Sequence, residues 1–255
     1  MKRTNGGFLC AWAIAGAALM VSSAGAVAAD ASEASASSVQ LAPAERLLFM
    51  QPHMSGVEPQ TELDYAVDYS GPPSKVNDTV RVLVVSPGNS KNDARVTDRT
   101  GDVNVPGGLP CNPMIIYFLE HDIAEMEQLT GGQRRYFQQR VRMALAAGPA
   151  ITPVSSESLG LGKHAGAQQV VIQPYLNDPN AERFNKYTGK RYTFVIADDV
   201  PGQLLMIRTE VPGDGNDFAH PLVKETIAYR GALKNMNPPG GGAPVKSSNA
   251  PRASR

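Results

Sequence analysis

Cysteine is scarce in this 255-residue chain, which has only Cys10 and Cys111. Cys10 lies in an N-terminal segment that we expect to be removed, so Cys111 is left without a partner. A scaffold held by internal disulfides is therefore excluded. The fold has to rely on a hydrophobic core, and the chain is long enough for one core of ordinary size.

An excess of charge of one sign is also missing, because 24 Lys and Arg residues face 24 Asp and Glu residues. The predicted signal segment takes two of the basic residues and none of the acidic ones, which leaves a slightly negative mature chain. Nonspecific nucleic-acid binding needs many cations on one face to neutralise phosphates. The composition therefore indicates no nucleic-acid partner.

Long hydrophobic runs are rare, and the clearest one spans residues 8–21 near the N-terminus. Lys2 and Arg3 precede it, and small residues follow it as far as Ala29. This order is typical of a secretory signal peptide, for which we predict cleavage after Ala29, with a cut after Ala26 as the alternative. The other interpretation is a retained anchor, but the run is shorter than the roughly 20 apolar residues of a membrane span. We expect a periplasmic protein (secreted where there is no outer membrane) with no transmembrane span after cleavage.

Composition divides the chain into four parts. We predict a signal peptide at 1–29, a loosely ordered leader at 30–60, a single α+β domain at 61–234 and a disordered tail at 235–255. The leader is rich in Ala, Ser, Gln and Pro, and the tail in Gly, Pro and Ser. Segments of this kind bury too little apolar surface to offset their chain entropy.

Hydrophobic periodicity predicts strands on both sides of a helical middle. Alternation of period two predicts strands near 63–69, 79–86, 95–97, 102–105, 150–154, 168–173, 191–197, 204–211 and 225–230. Asn112-Pro113 is a helix start signal, and Gly131 and Gly148 mark the ends of two helices. This order predicts an α+β fold with an antiparallel sheet, either flat or curved, and a two-helix hairpin packed against one face.

Motifs for catalysis and cofactor binding are missing. The chain has no G-x-S-x-G, no H-E-x-x-H and no complete phosphate loop, so we predict no catalytic residues, no metal site and no cofactor. His121 and Glu125 share a helix face, but two ligands are too few for a zinc site. Cys111 precedes a helix start, where a thiol can become reactive; the alternative is a small, half-buried side chain.

Opposite charges are concentrated on the two predicted helices. The first carries several acidic residues, and the second carries four arginines, among them Arg135 and Arg140. The arginines are candidates for contact with an anion or a protein partner. The alternative is that the two helices complement each other's charge, which contributes little to stability at a surface.

The aromatic faces of two predicted strands could line a groove. Tyr65 and Tyr69 alternate with acidic residues, and Tyr192 and Phe194 alternate with polar ones. An imperfectly filled sheet-and-helix groove would bind a lipid or a small hydrophobic ligand. The alternative is ordinary core packing, because every sheet must bury one face.

The segments 112–122, 130–132 and 136–142 resemble uncharacterised exported proteins of proteobacteria. That resemblance implies location and no particular chemistry. The order of elements is also loosely similar to the unclosed β-barrels of the lipoprotein-carrier type, in which helices are inserted into a curved sheet.

Together these features predict an exported, non-enzymatic protein that binds a hydrophobic ligand or a protein partner in the cell envelope. The alternatives are a structural or assembly factor that acts through protein contacts, and an enzyme whose site is assembled from distant residues. Fold class alone does not decide between them.

Overall fold

The structure is a computed structural model, and it describes residues 41–86 and 93–234. The predicted signal peptide at 1–29, the first part of the leader at 30–40 and the tail at 235–255 lie outside the described residues.

Nine strands of the described chain form one open antiparallel sheet, in the order β4-β3-β2-β1-β9-β8-β7-β6-β5. The strands are β1 (Thr61–Ser70), β2 (Asp78–Ser86), β3 (Asp93–Asp98), β4 (Gly101–Val103), β5 (Ile151–Pro153), β6 (Gln168–Ile172), β7 (Arg191–Ile196), β8 (Leu204–Val211) and β9 (Val223–Lys234). Every neighbouring pair is antiparallel. The predicted strands are therefore present, and the last of them is twice as long as its alternation indicated.

Four α-helices accompany the sheet in the described residues: α1 (Pro43–Glu45), α2 (Pro113–Thr130), α3 (Arg134–Ala146) and α4 (Ala181–Phe184). A π-helical turn, Arg46–Met50, continues α1, and a 3-10 turn, Asn185–Gly189, follows α4. The α+β class is confirmed. Among the described residues, no helix combines the length and the apolar character needed to cross a bilayer.

The start and end of α2 follow from its sequence signals. The Asn112 side chain accepts a hydrogen bond from the Met114 backbone N–H at 3.0 Å, which satisfies one of the free donors of the first turn. Pro113 occupies the first helical position, where its missing N–H costs nothing. Gly131 ends the helix with φ of 68°, a left-handed conformation that glycine adopts easily.

The core is built on an apolar row across the sheet. Cross-strand register places six residues side by side, and directly opposite residues share a face of the sheet. They are Val67, Ile227, Ile207, Phe194, Val170 and Ile151. Phe118 of α2 lies edge-on to Phe194, with ring centroids 6.0 Å apart. Side chains of α2 and α3 belong to the same buried cluster as this row.

The opposite face of the sheet carries a smaller apolar cluster. Val195 and Met206 are cross-strand partners there, and both are buried. Val154, Leu159 and Leu161, from the segment between β5 and β6, pack against them. A Gly- and Ser-rich segment therefore covers part of the second face.

Residues 41–60 are packed, although composition assigned them to a loosely ordered leader. Ala44, Leu48, Phe49, Met54 and Val57 are buried in the main core. The fully buried ring of His53 shows why this segment is fixed. Its Nε2 donates to the Leu47 carbonyl at 2.8 Å, and its Nδ1 accepts the Asn112 backbone N–H at 3.1 Å.

Candidate functional site

A second row on the same face of the sheet is polar. The register aligns Tyr69 with Glu225, Glu225 with Thr209, and Thr209 with Tyr192. These four residues lie two positions along their strands from the apolar row, so they face the same side. We call Tyr69, Glu225, Thr209 and Tyr192 the polar row.

One edge of α2 presents Tyr117, His121 and Glu125 at successive intervals of four residues, so they form a strip along the helix. The Tyr117 hydroxyl donates to Asp98 Oδ2 at 3.1 Å, and its ring lies 4.2 Å from the His121 ring, centroid to centroid. Burial lowers the pKa of His121, although Asp98 opposes that effect.

Lys75, from the segment between β1 and β2, joins the helix strip to the polar row. Its Nζ lies 2.6 Å from Glu125 Oε1, 3.5 Å from Glu225 Oε2 and 4.5 Å from the centre of the Tyr69 ring. Two carboxylates and one aromatic face therefore surround a single ammonium group. We call Tyr69, Glu125 and Glu225 the ammonium cage.

Electrostatics within the cage differ between its members. Burial raises the pKa of Glu225, and Lys75 only partly compensates. Burial lowers the pKa of Lys75, but the hydrogen bond to Glu125 and the charges of both glutamates together raise it by a larger amount. The net effect is a raised pKa. Lys75 therefore keeps its charge at neutral pH, and Glu225 is an acid held where its charge is poorly solvated.

The cage opens into a narrow cleft between α2 and the polar row. Tyr69, Tyr187, Leu129 and Val211 contribute to its walls, together with both glutamates of the cage. Its cavity volume is about 10 Å³ with Lys75 in place, which is close to the space one water molecule requires. The cleft is thus nearly filled by the protein's own side chains.

A buried ion pair lies at the inner end of the cleft. Asp122 of α2 pairs with Lys190, and both side chains are only 6% exposed. The Tyr192 hydroxyl donates to Asp122 Oδ2 at 2.5 Å and lies 2.9 Å from the Tyr175 hydroxyl. Burial raises the pKa of Tyr192, so this hydroxyl stays protonated and available as a donor. The contacts of Asp122 with Lys190 and Tyr192 therefore connect α2 to the start of β7.

The structure separates the candidates suggested by sequence. Cys111 is fully buried, and burial raises the pKa of its thiol to about 12, which disfavours the reactive thiolate. His121 belongs to the strip described above. Arg135 is exposed, whereas Arg140 pairs with Asp178 at 2.7 Å. Arg134 pairs with Glu120, which is the charge complementarity between helices that formed the alternative interpretation.

Sequence reasoning identified part of this site and missed the rest. The four-residue spacing of His121 and Glu125 was visible, and so was the aromatic alternation that contains Tyr69. Lys75 and Glu225 carried no local signal, because they meet only through the pairing of β1 with β9. Within residues 41–86 and 93–234, no group of three or more His, Cys, Asp and Glu side chains is arranged to hold a metal ion.

The chain was also compared with known proteins. It matches no model of a known protein family and none of the curated proteins against which it was searched.

Proposed function

We propose that the protein is an exported, non-enzymatic binding protein of the cell envelope, and that its cleft beside α2 holds a ligand or a segment of a partner protein. In this proposal α2 and α3 act as a hairpin against the inner face of a curved sheet, and the cleft lies where that face meets the end of α2. The periplasm is the proposed location, or the exterior of a cell with no outer membrane.

The observation that carries the proposal is the combination of charge and apolar surface at the cleft. Burial raises the pKa of Glu225, so its charged form lowers the stability of the folded protein unless a cation binds beside it. Leu129 lines the cleft and is 40% exposed, and Val211 and Val223 contribute further apolar side chains to its walls. Large apolar side chains at the rim of a charged cleft favour an amphipathic ligand.

Packing of the interior indicates where such a ligand would bind. Phe118 lies edge-on to both Tyr192 and Phe194, with ring centroids 5.8 and 6.0 Å apart. Tyr175 lies edge-on to Phe137 and is tilted against Phe184. These rings occupy the space between helices and sheet. We therefore propose binding at the cleft rather than in a deep apolar cavity.

A non-enzymatic role is proposed because the charged groups of the site neutralise one another. Lys75 is paired with two carboxylates, and Lys190 is paired with Asp122. A general base or nucleophile needs a free form of suitable pKa beside its substrate. The proteobacterial origin and the kinship with lipoprotein carriers suggested by sequence remain part of this proposal.

The test is to recover the protein from the periplasm of an expressing bacterium, with residues 1–29 in place, and to analyse it by native mass spectrometry. Leu129→Glu puts a charge at the cleft, and Met143→Glu, at an exposed position of α3, is the matched control. We expect a bound species with wild type and Met143→Glu, and its loss with Leu129→Glu. Equal occupancy of all three, no bound species in any, or retention of the wild-type chain in the cytoplasm would overturn the proposal.

A protein-contact role for α3 is the second candidate. Met143 is 52% exposed and lies on the same helix as the exposed Arg135 and Arg142, which gives α3 a basic surface with an apolar side chain. Arg140 is unsuitable for a charge-reversal test, since its partner Asp178 would be left buried. Arg135→Glu with Arg142→Glu is the appropriate pair, and loss of a partner captured by wild type would support this role.

A further inference from the structure

We infer that the cleft recognises a primary amine attached to an apolar body, and that Lys75 is a tethered occupant of the amine position. This inference rests on the proposed function and specifies its ligand. It begins with the contacts of the Lys75 ammonium, which are those expected of an amine ligand: two carboxylates and an aromatic face.

Lys75 is held at the edge of the cleft by the contacts of its ammonium group with Tyr69, Glu125 and Glu225. Residues 71–77 are all exposed, and the segment is fixed at its two ends. At one end Gly71 has φ of 111° and packs so closely on Leu222 that a Cβ would lie 2.3 Å from the Leu222 carbonyl oxygen. At the other end Asn77 accepts a hydrogen bond from the Tyr69 backbone N–H and donates one to Asp68.

The exposure of Lys75 fits an occupant that can leave. Its side chain is 36% exposed, so its ion pairs are partly screened by solvent and contribute little to holding the segment down. Val76, the next residue, is 71% exposed. Withdrawal of Lys75 would free Tyr69, Glu125 and Glu225, the three residues of the cage.

Charge and surface together define what could replace Lys75. The two carboxylates of the cage repel an anion, and a neutral head group would leave both carboxylates without a counter-charge. The apolar walls contributed by Leu129, Val211 and Val223 suit a hydrocarbon chain that continues from the amine. An alkylammonium ion satisfies both requirements, whereas a fatty acid satisfies only the second.

The competing explanation is that Lys75 is a structural staple with no role in binding. Lys75→Met distinguishes the two, because methionine keeps much of the apolar length and removes the charge. Lys224→Met is the matched control, since Lys224 is exposed and precedes Glu225 on the same strand, where side chains alternate between faces.

The experiment is a titration of n-octylammonium chloride at pH 7, followed by calorimetry and by NMR shifts of Leu129 and Val223. Removal of a tethered competitor raises apparent affinity by the inverse of the fraction of open cages. Partly exposed ion pairs of this kind leave roughly a fifth of the cages open, so we expect Lys75→Met to bind about fivefold more tightly than wild type or Lys224→Met. Glu125→Gln added to Lys75→Met should abolish most of that gain. Octanoate should not compete.

The possible results separate this inference from the proposed function. No gain in octylammonium affinity with Lys75→Met, or preference for octanoate or octanol, would overturn the amine inference. If octanoate or octanol still shifted Leu129 and Val223, the cleft would remain a binding site and the proposed function would stand. If no probe shifted these residues, both would fall.

Discussion

The ion pair between Asp122 and Lys190 allows the most quantitative test of the structure. Asp122→Asn keeps the shape of the side chain and its ability to accept from Tyr192, but it removes the charge that balances Lys190. Lys190 is 6% exposed, so its ammonium would remain buried without a counter-ion. Breaking one side of a buried pair costs about 3–5 kcal/mol, because the remaining charge keeps its desolvation cost.

Such a loss is large compared with the total stability of a domain, which is about 5–15 kcal/mol. For a chain of this size each kcal/mol corresponds to a shift of about 2–4 °C in Tm, so the expected decrease is about 6–20 °C. Urea unfolding followed by circular dichroism would give the change in free energy, provided that the slope with denaturant stays constant.

Two further variants make this prediction specific. Asp122→Asn combined with Lys190→Met removes both charges, and we expect it to recover at least half of the lost stability. Lys234→Met breaks the fully exposed pair with Glu58 and should leave the urea midpoint unchanged within error. The reasoning fails if Asp122→Asn shifts the midpoint no more than Lys234→Met does, or if the double variant is less stable than either single one.

Three other predictions follow from buried or crowded positions. Burial lowers the pKa of His53 to about 4, whereas His53 in the unfolded chain keeps a pKa near 6.5. The folded state therefore favours the neutral ring. The free energy of unfolding should be highest above pH 6.5 and should decrease by up to about 3 kcal/mol as the pH falls to 4. Urea midpoints across this range should show a slope for wild type that His53→Gln removes, and equal slopes would contradict the assignment. Gly202→Ala should lower the urea midpoint by more than Gly166→Ala, since both glycines have positive φ but only at Gly202 would a Cβ lie 2.7 Å from Asn112 Nδ2 and Leu63 Cδ1. Equal losses in the two variants would show that backbone strain alone is responsible. Glu225→Gln should keep or raise the urea midpoint at pH 7, because burial raises the pKa of Glu225 and disfavours its charged form. The same substitution should weaken octylammonium binding. A large decrease in the urea midpoint would instead make Glu225 a structural residue.

The elements of this fold were largely predictable because their signals are local. Asn112-Pro113 and Gly131 define α2 to the residue, and the Pro-Gly turn at 201–202 marks the connection between β7 and β8. Alternation with period two is a property of a few consecutive residues, so strands can be recognised without their partners. The short helix α4 was missed because four residues are too few to show a helical period.

The arrangement of the elements was not predictable in the same way. Composition classed residues 30–60 as a loosely ordered leader because the segment is rich in Ala, Ser, Gln and Pro, yet the π-helical turn at Arg46–Met50 places Leu48 and Phe49 in the core. Arg140 belonged to a predicted arginine face, but its partner Asp178 is 38 positions away in a segment without periodicity. Contacts of this kind depend on register and chain path, which leave no trace in a short window.

The position of β9 has a consequence for how the chain reaches this structure. The strand at 223–234 lies in the centre of the sheet, between β1 and β8, although it is the last strand along the described chain. Until β9 is in place, β1 and β8 each have one edge whose backbone N–H and C=O groups are unpaired. In the described residues, backbone hydrogen bonds therefore join β1–β4 to β5–β8 only through this final strand, and pairing between strands as distant in sequence as β1 and β9 forms slowly.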